Sequence, residues 1–185
     1  MPPPGLGSYH QLPLTESAHI VVGNALRMDW NEVVPASEHV YVMGNPPFIG
    51  QYTKTAEQTA DMKAVWGADY DGYLDYVTGW HAQAMHYFAG QPVGRFAFVT
   101  TNSIAQGQPV PALFGPLHRE GWTIPFAHRT FAWSSEAPGA AGVHCVIVGF
   151  SKGISLKGAR LFSYDRSQGH PVEEPVGAIS PYLVE

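Results

Sequence analysis

The sequence has a single cysteine in 185 residues, Cys145, which excludes an internal disulfide and a Cys-rich zinc site. It lies in the apolar run His144-Cys145-Val146-Ile147-Val148, the setting of a buried thiol. Charge is also scarce. Charged residues make up 14% of the chain, against roughly 25% in an average soluble domain. Ten lysines and arginines face fifteen aspartates and glutamates, a net charge of -5, so the chain lacks the basic excess of a self-sufficient nucleic-acid binder. No apolar stretch reaches the ~18 residues a membrane span needs. The opening Met1-Pro2-Pro3-Pro4-Gly5 has neither the basic nor the apolar region of a secretory leader. A cytoplasmic protein without a membrane contact is therefore expected. The nine histidines fall into no H-x3-H or HExxH spacing, so no metal is expected either. So sparse a surface charge points to faces normally covered by something else, as in a piece of a larger protein.

What is present is apolar patterning sufficient for one domain. Residues 1–17 are rich in Pro and Gly, without periodicity, and read as a flexible lead-in. His19 to Asn24 and Val40 to Gly44 are short β-branched runs, expected to be strands buried on both faces of a mostly parallel sheet. Residues 56–66 are compatible with a helix anchored by Met62, Val65 and Trp66. Residues 73–88 repeat Leu74, Val77, His81, Met85 and Phe88 at helical steps, with Asp71 as the expected cap and Gly90 as the stop. A third strand is expected from Gly94 to Thr100, then a proline-bearing helix from Pro109 to about Glu120, ended by Gly121. Trp122 to Trp133 and Val143 to Phe150 read as strands. Their nine-residue connection, Ser134 to Gly142, is too short for a helical crossover, so an antiparallel pair is expected at the end of the sheet. Residues 152–185 read as an exit segment. The order implies an α/β fold, whose sites gather at the carboxyl ends of the strands.

One such end empties into Asn45-Pro46-Pro47-Phe48. The Asn45 side-chain oxygen and the Pro46 carbonyl offer two adjacent acceptors. The consecutive prolines stiffen the loop and leave its carbonyls unpaired. Phe48 presents a π-face on which a base can stack for roughly 1–3 kcal/mol. These features suit an exocyclic amine such as adenine N6, whose lone pair is delocalised into the ring until both hydrogens are drawn toward acceptors. The nitrogen can then attack a sulfonium methyl first and shed its proton afterward, so catalysis is mostly positioning. Asn-Pro also favours plain turns; the position directly after a strand, with Gly23-Asn24 about twenty residues earlier, favours the chemical reading.

The tetrapeptide at 45–48 resembles motif IV of the N6-adenine-specific DNA methyltransferases, the NPPF amino-methyltransferases. The chain is most similar to the MmeI-like methyltransferase domain of fused type II restriction-modification enzymes. The likeness rests on Ile20 to Trp30, Gly44 to Gly50, Leu74 to Val77, Thr101 to Gly107, Phe126 to Trp133 and Val143 to Phe150, and so extends over about residues 18–151. It implies a partial Rossmann-like, S-adenosylmethionine-dependent methyltransferase sheet that lacks the first two strands, with 18–151 as the catalytic half. It implies S-adenosyl-L-methionine as cofactor, its site incomplete because no Gly-rich turn follows a first strand and no acidic residue ends a second. Gly5-Leu6-Gly7 follows no strand and opens no helix, which rules it out as that turn. Carried over by position, Asn45, Pro46, Pro47 and Phe48 form the catalytic corner. Asn24 falls where the family contacts the adenine amino group of the cofactor, many relatives having Asp there. Trp133, or else Phe131, resembles the aromatic that closes the other face of a flipped target base. The implied partners are double-stranded DNA, reached through a full-length protein, an upstream cofactor-binding half and a downstream target-recognition region. The expected activity is site-specific adenine N6 methylation, with this chain inactive alone. Two other readings stay open: a non-catalytic interaction module or remnant that self-associates through an uncovered sheet edge, and methylation of a protein or RNA amine through the same tetrapeptide.

Overall fold

The structure, a computed structural model, describes residues 18–133, 143–165 and 169–185. The lead-in of residues 1–17 and the connection Ser134 to Gly142 lie outside the described residues. In chain order the elements are β1 (Val42–Gly44), α1 (Ala56–Trp66), α2 (Gly79–Tyr87), β2 (Gly94–Thr101), α3 (Pro109–Arg119), β3 (Thr123–Trp133), β4 (Val143–Lys152), β5 (Ala159–Ser163) and β6 (Val172–Val176). The six strands form one sheet in the order β1-β2-β4-β3-β5-β6. β1 runs parallel to β2, and β4 is antiparallel to both β2 and β3. β3 therefore runs in the direction of β1 and β2, and the three strands end on one side of the sheet.

Each helix has a local cause. Thr55 and Gln58 form a reciprocal capping box at the start of α1, with Thr55 Oγ1 accepting from the Gln58 N–H at 3.2 Å and Gln58 Oε1 from the Thr55 N–H at 2.8 Å. Gly67, at φ 56°, ends it. Pro109 opens α3, where a missing N–H costs nothing, and the helix buries Val110, Leu113, Phe114 and Leu117 at helical steps. Gly121 turns the chain into β3 at φ 83°. α2 and α3 cover the face of the sheet that carries Phe96, Phe98 and Phe150. His81 of α2 meets all three rings at centroid distances of 5.1 to 5.9 Å, and Phe114 of α3 meets Phe150 at 5.8 Å.

The structure corrects several expectations. Residues 19–24 form no strand. Ile20 is 79% and Val22 95% exposed, because among the described residues no strand lies beyond β1 to give the run a ladder partner. β1 is itself a three-residue edge strand with Met43 78% exposed, not a strand buried on both faces. Along β2 buried and half-buried residues alternate, so the described helices cover one face only. The helix expected over 73–88 begins at Gly79. Asp71 closes a local turn onto the Tyr73 N–H at 2.8 Å, and Asp75 caps a 3-10 turn over Tyr76–Thr78. The antiparallel pair forms as expected, but β4 is threaded between β2 and β3, and the pair lies inside the sheet. Residues 152–185 supply two further strands, β5 and β6. Among the described residues no helix is long and apolar enough to cross a membrane, and no cluster of His, Cys, Asp and Glu could hold a metal.

Candidate functional site

The corner Asn45-Pro46-Pro47-Phe48 leaves the carboxyl end of β1, beside the end of β2 at Thr101. Pro46 is buried while Asn45 is exposed. Phe48 is half-buried and packs against the core. Among the described residues, no backbone N–H donates to the Pro46 carbonyl and no hydrogen bond engages the Asn45 amide. Two acceptors and a half-buried ring are thus held on a loop whose prolines restrict it.

Behind the corner lies a polar anchor. The Tyr76 N–H donates to the Ile49 carbonyl at 3.1 Å, one residue past Phe48. Asp75, 6% exposed, accepts from the Val77 N–H at 3.3 Å and from Thr101 Oγ1 at 3.4 Å, which ties the turn to the end of β2. Lys54 Nζ donates to the carbonyls of Gln51 at 2.8 Å and Leu74 at 2.6 Å, closing the loop that follows the corner. Burial pushes the Asp75 carboxyl above its ordinary range against the pull of these donors and of Lys54, and burial lowers Lys54. A cleft of about 540 Å³ opens here, lined by Gly50, Tyr52, Tyr73, Asp75, Ser103 and Gln106 among others.

Asn24 sits in a turn rather than at a strand end. Its Nδ2 donates to Asp61 Oδ2 at 2.9 Å and its Oδ1 accepts from the Leu26 N–H at 3.0 Å. Asp61, 3% exposed, also accepts from Arg27 Nε at 2.6 Å and from the Tyr76 hydroxyl at 3.0 Å. Burial works to raise the Asp61 carboxyl, but the bonds from Asn24, Arg27 and Tyr76 outweigh it and hold the group below the carboxylate range. The Tyr76 phenol is pushed up to about 12, by burial first and by Asp61 second. Asn24 Oδ1 keeps a second lone pair, so its oxygen fits one further contact from a donor.

Trp133 lies at the end of β3, 41% exposed, on the same side of the sheet as Asn45. β2 and β4 separate it from β1, roughly 14 Å across the sheet at strand spacing, and the structure does not bring it onto Phe48. Phe131 packs against Tyr164 at 5.3 Å and Trp133 at 6.3 Å. The sequence reading did not name Asp61, Arg27, Tyr76, Lys54 or Asp75 as site residues. The available signal was an ionisable side chain inside an apolar stretch, as in Leu74-Asp75-Tyr76-Val77.

Residues 6–163 match the MmeI DNA-methyltransferase domain. The chain is 37% identical over 177 residues to DNA methyltransferase A of Bacillus subtilis (strain 168), a match covering 94% of this chain and 19% of that protein. The solved structure of the type IIL restriction-modification enzyme MmeI, in complex with DNA, superposes with a TM-score of 0.86 at 40% identity, over 95% of this chain and 24% of that one. A restriction-enzyme modification subunit from Vibrio vulnificus YJ016 matches with a TM-score of 0.53 at 13% identity, covering 80% of this chain and 30% of that one, and shares the fold alone. The chain thus spans about a quarter or less of the first two relatives it matches. Fold, family match and relatives agree: the chain belongs to the MmeI-type DNA-methyltransferase domain family of restriction-modification enzymes.

Proposed function

We propose that the chain is the catalytic half of an adenine-N6-specific DNA methyltransferase domain, that it acts on a base turned out of the duplex, and that it is inactive alone. The observation that carries this reading is the corner itself: the exposed Asn45 amide, the unpaired Pro46 carbonyl and the half-free Phe48 ring stand together at the end of a parallel strand. Membership of a DNA-methyltransferase family implies a methyl donor of the S-adenosylmethionine type. Such a donor supplies an electrophilic methyl group when bound, and Asn24 is the residue of this chain that would accept from its amino group.

In this reading Asn45 Oδ1 and the Pro46 carbonyl take the two hydrogens of the adenine amine and shift its lone pair out of the ring. Phe48 stacks on the purine; Trp133, three strand spacings from β1, does not reach the other face of that base in this arrangement. Pro47 holds the corner rigid, which lowers the ordering cost of the reactive pose. No residue has to remove a proton before methyl transfer. The net charge of -5 fits a duplex held mainly by other parts of a full-length protein.

Transfer of labelled methyl groups to duplex DNA, with RNA and protein as comparison substrates, tests the reading. The chain alone is expected to transfer none, whereas a longer protein containing it places the label on adenine N6 in DNA only. Titration calorimetry with S-adenosylmethionine is expected to show weak binding or none to the isolated chain; micromolar binding contradicts the proposal that its cofactor site is incomplete.

A second reading, a non-catalytic interaction module, draws on the exposed edge beside β1, where Tyr41, Met43, Ile20 and Val22 are 61%, 78%, 79% and 95% exposed. Light scattering separates the two. A monodisperse monomer at high concentration speaks against that edge acting as a self-association surface.

A further inference from the structure

The corner and Asn24 lie on separate loops, and one residue bonds to the supports of both. Tyr76, 6% exposed, donates its backbone N–H to the Ile49 carbonyl at 3.1 Å, just past Phe48. Its hydroxyl donates to Asp61 Oδ2 at 3.0 Å. The same carboxylate oxygen receives Asn24 Nδ2 at 2.9 Å, while Asp61 Oδ1 is taken by Arg27 Nε at 2.6 Å. The ring is steadied edge-on by Trp80, with centroids 5.4 Å apart.

This arrangement decides which end of an exposed amide faces outward. An unrestrained asparagine presents its oxygen or its nitrogen with little preference. With one Nδ2 hydrogen committed to Asp61 and one Oδ1 lone pair to the Leu26 N–H at 3.0 Å, Asn24 keeps the second lone pair of its oxygen and the second hydrogen of its nitrogen, each on a fixed side of the amide. A flipped amide would put a nitrogen against the Leu26 N–H and an oxygen against a buried carboxylate, two repulsive contacts in place of two bonds. The phenol fixes the carboxylate that enforces the choice.

We infer that Tyr76 is a positioning residue which, through Asp61, holds the Asn24 amide with its oxygen available as an acceptor, and through its N–H fixes the chain just past Phe48, so that the two loops keep one relative placement. What Asn24 accepts from rests on the function proposed above; the geometry does not.

The experiment is Tyr76→Phe in the whole 185-residue chain, which deletes one oxygen and leaves the backbone bond. Nitrogen-15 NMR follows the Asn24 side-chain amide, with Asn24→Asp identifying its signals. The expected result is a selective shift of that pair and about tenfold faster exchange with solvent, the loss of one hydrogen bond to a charged group. The Trp122 and Trp133 indole signals are expected to stay in place while Tm falls by about 2–4 °C. An unchanged Asn24 amide overturns the inference. So do shifts spread through the whole spectrum, which mark Tyr76 as a general packing residue. Neither result touches the methyl-transfer reading, which is carried by Asn45.

Discussion

Gly149 of β4 lies opposite Phe126 of β3 in the antiparallel ladder, and the phenyl ring fills the space a side chain at 149 would need: a Cβ there would stand 2.6 Å from Phe126 Cζ. The contact lets β4 thread between β2 and β3, next to Ala97 of β2. Gly149→Ala is expected to cost about 1–3 kcal/mol through displacement of a ring in a packed ladder. Chemical denaturation of the two chains measures it, and an unchanged midpoint would show that the ring moves freely.

His81 is 1% exposed among the rings of Phe96, Phe98 and Phe150, and burial lowers it to about 3 from an ordinary value of 6.5. Above pH 6.5 the imidazole is neutral whether the chain is folded or not, so it adds no pH dependence. Below 6.5 the unfolded chain binds a proton that the folded chain refuses until about pH 3. Stability is therefore expected to fall by about 1.4 kcal/mol per pH unit across that window from this group alone. His81→Leu should flatten the decline by that slope. Parallel denaturation profiles of the two proteins between pH 7 and pH 4 decide the matter.

Asp61 is the shared acceptor for Asn24, Arg27 and Tyr76. Asp61→Ala leaves three donors without a partner, two of them still reached by solvent, and is expected to cost about 2–3 kcal/mol. Because the folded carboxyl is held below its ordinary value, the stability it contributes is present at neutral pH and lost as pH falls through the acid range. The variant should lose the corresponding acid-side slope, and denaturation at pH 7 and pH 4 tests both statements.

Where a feature was local, the sequence showed it. Gly94 to Thr100 and Val143 to Phe150 are long enough, and flanked clearly enough, to be strands in any context, and Pro109 and Gly121 mark the two ends of α3. Asn45 to Phe48 could be read because its acceptors and its ring are adjacent in the chain. Ile20 to Val22 misled because an apolar run carries no mark of whether a neighbouring strand exists to receive it. The start of α2 misled because Asp71 and Asp75 each take a nearby N–H in a local turn, Tyr73 and Val77 respectively, and the helix begins only after both turns, at Gly79. The Asn24–Asp61–Tyr76 chain joins residues 37 and 15 positions apart, a separation at which no periodicity operates.

The central claim is that the Asn45 side chain polarises an adenine amine. The direct measurement is the rate of methyl transfer to adenine N6 in duplex DNA by a longer protein containing this segment, with and without Asn45→Ala. Loss of one of two acceptors that act only as charge develops should slow transfer by at least ~100-fold, with duplex affinity nearly unchanged. An undiminished rate in the variant would contradict the account.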